Sequence, residues 1–102
     1  MPTTKKQLEF DRQLDLTAIR EYKHTGNKKI IDELYQKYAL LVYGVCLNRL
    51  KKREQAKKML VQIHKAVQLE VIDARVIHFR EWLFQLTVRQ CVAFEKSEQP
   101  EK

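Results

Sequence analysis

Proline is absent between Pro2 and Pro100, and glycine occurs only at Gly26 and Gly44. Proline breaks helices and glycine weakens their interiors, so their scarcity excludes a turn-rich β-protein and favours long helices. Cysteine is almost as rare: Cys46 and Cys91 stand alone, in no C-x-x-C pair and with no regularly spaced histidines. They read as small buried hydrophobes of a reducing compartment, and neither a disulfide framework nor a metal site is expected. No segment approaches the roughly 20 apolar residues that would span a bilayer, and the opening MPTTKKQLEFDRQ lacks the apolar core of a signal peptide. The expected place is the cytoplasm, without membrane contact. Catalytic patterns are missing too. There is no Ser-His-Asp spacing, no H-E-x-x-H and no glycine-rich phosphate loop, and His24, His64 and His78 fall in three different elements. An enzyme is not expected, nor a cofactor.

What the chain has in excess is positive charge. Its 102 residues, one domain's worth, carry 20 Lys and Arg against 13 Asp and Glu, a net charge of +7. The excess is densest over residues 51 to 70, with six positive and two negative charges, against nine and six before it and five and five after it. Within it KKREQAKK, Lys51 to Lys58, sets five cations against the single acid Glu54, just ahead of the apolar run Met59, Leu60, Val61. A helix N-terminus is already positive, so cations there are mildly unfavourable, and an anionic partner is the functional reading. The plainer reading is a solvated face.

The apolar pattern predicts an all-α, compact helical bundle. From Ile31 through Leu34, Tyr35, Tyr38, Leu41, Val42, Val45 and Cys46 the spacing of three and four marks one face of a long helix. Gly26 and Asn27 ahead of it supply a stop for a short helix over about Leu16 to His24 and an N-cap for the long one. The KKREQAKK stretch opens the next helix, with Ala56, Met59, Leu60, Ile63 and Val67 facing the core and Lys57, Lys58, Gln62 and Lys65 turned away. After a break near Val71 to Ile77, the segment Phe79 to Phe94 carries apolar residues on more than one face and is expected to be a central, aromatic-rich helix. Residues 1 to 15 read as an N-terminal extension, 16 to 96 as the domain and 97 to 102 as a frayed polar tail. Gly44 inside the long helix costs about 1 kcal/mol relative to alanine, which predicts a backbone or bulky ring packed against it. Trp82 and Phe84 read as core aromatics. Phe79 and Arg80, at the last helix's entry, are expected to be freer, and a basic helix near an aromatic and an arginine suits single-stranded nucleic acid.

The order GNKKIIDELYQKYALLVYGVCLNRL, then KKREQAKKMLVQIHK, then HFREWLFQL resembles the second conserved region of bacterial sigma factors, especially the extracytoplasmic-function type. The family's L-Y-x-x-Y, aliphatic, Tyr pattern is matched by Leu34, Tyr35, Tyr38, Val42 and Tyr43. Its helix-opening Ala is matched by Ala56, and its F-x-x-W-L-Y by Phe79, Trp82, Leu83 and Phe84. The likeness spans about Leu16 to Lys96. It implies a domain that docks on the clamp helices of the largest subunit of RNA polymerase core and opens promoter DNA at the minus-ten element. Bases would there be flipped from the single strand into pockets near the loop before the last helix. The implied DNA-binding residues are Arg75, His78, Phe79 and Arg80. The basic residue and Asn that commonly follow in the family correspond to Val88 and Arg89, and Arg89 joins the candidates.

The polymerase- or partner-binding candidates are Arg53, Glu54, Gln55, Lys57, Lys58 and Gln62. Here the chain departs from the family: acidic residues usually surround the Ala, whereas Gln55 precedes Ala56 and Lys58 follows two residues after it. A family aromatic is replaced by His64. Charge reversal at a docked contact can cost several kcal/mol. Two further classes therefore stay open: a diverged module whose basic helix binds an acidic regulatory partner, such as an anti-sigma-like protein, and a general nucleic-acid-binding bundle. The expectation is of an excised domain or a stand-alone relative, without a second helix-turn-helix domain for the minus-thirty-five element.

Overall fold

In the computed structural model, which describes residues 4–98, the chain opens on a capping box. Thr4 Oγ1 accepts from the Gln7 amide at 3.1 Å, and Gln7 Oε1 accepts from the Thr4 amide at 3.2 Å. These two bonds satisfy amides that a helix start leaves open, and α1 runs Lys5–Thr25. Most of the segment expected as an extension is thus the first half of α1, which begins far ahead of Leu16 and buries Asp15, Ile19 and Tyr22. Gly26 then takes the left-handed conformation, φ 70°, with its amide on the Tyr22 carbonyl at 2.7 Å. Asn27 caps α2, Lys28–Leu50, by accepting from the Lys29 amide at 3.1 Å. Both residues play the roles their sequence assigns.

The turn from α2 to α3, Arg53–Asp73, contains only Lys51 and Lys52. Lys51 is left-handed at φ 65°, a conformation that costs a non-glycine residue roughly 1–2 kcal/mol. Lys52 is the N-cap of α3 and its side chain caps nothing. Neither lysine suits its backbone position. α4, Phe79–Glu98, follows a break over 74–78. The tail expected over 97–102 lies outside the described residues from 99 onward; Ser97 and Glu98 belong to α4.

No strand occurs among the described residues, and the all-α bundle is the fold. α2 and α4 each pack against all the other helices, so the central position is shared between them. They run in the same direction along their seam, where Tyr38 meets Phe79, Cys46 meets Cys91 and Arg49 reaches Glu95. Ala56, Met59, Ile63, Val67 and Val71, four or three residues apart, bury one face of α3 completely. Tyr35 fills the α2–α3 interface and donates its hydroxyl to the Leu60 carbonyl at 2.7 Å. Burial pushes that phenol's pKa up, with nearby Cys46 adding to it, so it stays a donor.

Two packing expectations fail. A Cβ at Gly44 would meet nothing within 4 Å; the glycine lies on the exposed face of α2, and nothing in the structure explains it. Phe84 is 48% exposed, because the core side of α4 is set by Phe79, Leu83, Leu86 and Cys91 and position 84 turns off that face. Trp82 is partly buried against the core, its ring 5.8 Å from that of Phe79. No described helix is long and apolar enough to cross a membrane.

Candidate functional site

The start of α4 faces α1 and α2 across an open cleft of about 690 Å³. Its floor on the α1 side is built on Asp15, a carboxylate only 3% exposed. Burying a charge is unfavourable unless it is paired, and Asp15 is paired twice from α2: Lys37 Nζ donates to Oδ1 at 2.8 Å and the Tyr38 hydroxyl donates to Oδ2. Burial raises the pKa of the Tyr38 phenol, and the hydrogen bond to Asp15 raises it further, so the proton stays on the tyrosine. The one-turn-and-a-bit repeat of α1 places Leu8, Arg12 and Asp15 on this wall, and Lys37, Tyr38 and Leu41 share the facing stripe of α2.

Across the cleft, α4 contributes Arg80, Glu81 and Phe84, and His78, the residue just before the helix, joins them. Arg12 is held between Glu9 and Glu81, each at 3.5 Å. Arg80 has no ion pair among the described residues. His78 Nδ1 is buried without a hydrogen-bond partner, and Phe84 offers an exposed ring. Neighbouring groups thus supply a free guanidinium and an aromatic face, while the His78 Nδ1 is closed off from solvent. A guanidinium and an aromatic face are the group types that hold the phosphate and base of an unpaired nucleotide.

The residues expected from sequence divide against this geometry. His78 and Arg80 line the cleft. Phe79 does not: it is 1% exposed, its ring packed between Tyr38 and Trp82, and it cannot stack on a base. The first helical residue lies low because the break before α4 turns it into the core, and the free ring is Phe84. Arg75 is exposed in the connecting loop, whose backbone is tied to α1 by Lys23 Nζ on the Ala74 carbonyl at 2.8 Å. Arg89 lies outside the cleft lining, and its guanidinium donates to Glu70 of α3 at 2.8 Å. Arg12, Lys37, Tyr38 and Phe84 were not singled out for this site by sequence. Phe84 alone carried a signal there, since it breaks the three-and-four spacing of Phe79, Leu83 and Leu86.

The second surface is the beginning of α3. Arg53, Glu54, Lys57, Lys58 and Gln62 are exposed, and Gln55 is half-buried. Lys51, Lys52, Arg53, Lys57 and Lys58 have no ion pair among the described residues, so five cations share one end of the bundle with Glu54 as the only nearby acid of the turn. Beneath it Ala56 is wholly buried. His64 keeps a flat ring where the resemblance places an aromatic, stacked on Tyr35 at 4.6 Å. Among the described residues no group of three or more His, Cys, Asp or Glu is placed to hold a metal ion.

No protein-family model, curated protein or solved structure matches this chain. The sigma-factor resemblance therefore rests on the sequence alone.

Proposed function

We propose that this chain acts in transcription as a sigma-factor region-two-like module, engaging RNA polymerase core, the opened minus-ten strand, or both. One observation carries the reading. The residues of the three separated stretches converge on the α2–α4 core and its contact with α3: Tyr35, Val42, Ala56, Phe79 and Leu83 are buried, and the rings of Tyr38, Phe79 and Trp82 follow one another at 5.7 and 5.8 Å. Three stretches far apart in sequence thus contribute to one core in the order the resemblance calls for, and that is what supports the reading.

On this reading the cleft holds an extruded nucleotide, with Phe84 as the stacking ring, Arg80 as the donor and His78 in the wall beside it. The start of α3 is the docking surface. A specific observation favours a second reading of that surface: Lys58, where the family resemblance calls for an acid, is exposed and unpaired among the described residues, and Gln55 is uncharged. A module that has exchanged polymerase docking for an acidic regulatory partner would have this face. The test is capture of purified core polymerase by the tagged chain, run beside fluorescence anisotropy with a promoter-like single-stranded oligonucleotide. Binding to either supports a role in transcription. Binding to the oligonucleotide and to unrelated single strands alike, without polymerase, would reduce the protein to a general nucleic-acid-binding bundle. Binding to neither would end the proposal.

A further inference from the structure

Cys46 of α2 and Cys91 of α4 are both 0% exposed, and the Cys91 thiol donates to the Cys46 sulfur at 3.6 Å. They lie 45 positions apart in sequence (91 − 46), so only the packing of α2 on α4 brings them together. A disulfide needs its sulfurs at about 2.05 Å, so the pair has to close by about 1.5 Å from its present contact. We propose that this pair is an oxidisable dithiol, a modification site at which hydrogen peroxide installs an intramolecular disulfide that staples α2 to α4.

The path of reaction follows from burial. Burial pushes the Cys46 thiol up to about 12, with Cys91 nearby adding to it, and burial also raises Cys91. Both are therefore poor nucleophiles while the bundle is closed. Cys91 stands two turns before the end of α4, and the segment beyond it is held by the 3.5 Å Arg49–Glu95 pair and the partly buried Phe94. Helix ends open more readily than helix centres, so fraying of this segment exposes Cys91 first. Its thiolate attacks one peroxide oxygen, the O–O bond breaks, hydroxide leaves and a sulfenic acid remains on Cys91. While the segment is still open and water reaches the seam, Cys46 gives up its proton and its thiolate attacks the sulfenic sulfur. The S–S bond forms, the S–O bond breaks, and the two thiol protons end in two waters. Two electrons pass from the sulfurs to the peroxide. The staple lies farther along the same α2–α4 seam that carries Tyr38 and Phe79, so it ties down the pair of helices that form two walls of the cleft.

The experiment treats the full chain with hydrogen peroxide under native conditions and reads intact mass and a non-reducing peptide map. The expected result is a monomer lighter by two hydrogen atoms, a cross-linked pair of peptides containing Cys46 and Cys91, a raised unfolding midpoint and full reversal by dithiothreitol. Cys46→Ala and Cys91→Ala should each abolish the cross-link. Should one alanine variant fail to fold, the other and the wild-type map still decide. Three results would overturn the proposal: both thiols remaining free in the folded protein, stepwise oxidation to sulfinic acid without a cross-link, or a Cys46–Cys91 bond that forms only after denaturation.

Discussion

The imidazole of His64 lies flat on the ring of Tyr35, centroids 4.6 Å apart and planes 2° from parallel, while its Nε2 meets Asp32 Oδ1 at 2.7 Å. One side chain thus does two things at the α2–α3 interface, covering an aromatic face and bonding a carboxylate. Gln68 Nε2 donates to the same Asp32 oxygen at 2.9 Å. The hydrogen bond from Gln68 chiefly, opposed by partial burial and helped by His64 and Lys28, holds the Asp32 carboxyl below its ordinary 3.8. A carboxyl whose folded value is depressed stabilises the fold in its ionised form. That contribution is fully present above the unfolded value and is lost as pH falls through the lower, folded one. Asp32→Asn should therefore be less stable than wild type near neutral pH, with the gap closing below about pH 4. The carboxyl is 44% exposed, so screening keeps the effect small. Urea midpoints across the acid range measure it, and a gap that stays constant into strong acid would show that the charge on Asp32 does not matter.

The two phenylalanines of HFREWLFQL should separate cleanly. Phe84 is half-exposed, so Phe84→Ala is expected to change stability by no more than about 1 kcal/mol while weakening the affinity for a single-stranded oligonucleotide by roughly 1–3 kcal/mol, the contribution of one stacked base. Phe79→Ala removes a ring buried between Tyr38 and Trp82 and should cost roughly 3–5 kcal/mol of stability. Thermal melts and anisotropy titrations check both. Unchanged oligonucleotide affinity in a folded Phe84→Ala protein would remove the cleft from the site.

This pair also shows which parts of the molecule were legible in the sequence. α2 and α3 could be read because their apolar positions repeat at helical spacing and their ends carry Gly26, Asn27 and a basic run. The beginning of α1 was missed although Thr4 and Gln7 spell a capping box, because the residues after it are mostly polar and show no stripe; its inner face holds Arg12 and Asp15, whose partners come from other helices. Candidates at the start of α4 were found by residue type. Which of its rings is free depends on the angle at which the helix enters the core, and no local pattern encodes that angle. The cleft joins Asp15 of α1 to Lys37 and Tyr38 of α2, a relation between helices that appears only when they pack.

The α2–α3 turn offers a test of why its lysines are there. Lys51→Gly relieves a left-handed residue and Lys52→Asp supplies the missing N-cap, each expected to stabilise the fold by roughly 1 kcal/mol. If the cations serve a partner, the more stable double variant binds that partner less well. Denaturant titration and binding measured on one preparation would expose the trade. A double variant that gains stability and loses no affinity would assign the turn to chance rather than to function.

The sharpest distinction comes from the two residues around Ala56 that depart from the family resemblance. Gln55→Asp together with Lys58→Asp puts acids back beside the buried alanine without touching the core, since Lys58 is exposed and Gln55 only half-buried. If α3 still docks on polymerase and has merely drifted, the double variant binds core polymerase more tightly than wild type. If the face has been given over to an acidic partner or to nucleic acid, the same variant binds that partner more weakly, because like charges then oppose each other. For DNA the loss should appear in the salt dependence as well: log affinity falls by about 0.9 per phosphate contact for each decade of salt, so losing one contact flattens the slope by that amount. The two readings predict changes of opposite sign, and both are distinct from a solvated face. In that case neither affinity moves, and the only effect is the gain of a few tenths of a kcal/mol from an acid placed in the first turn of α3 at position 55 and a cation removed at position 58 near it.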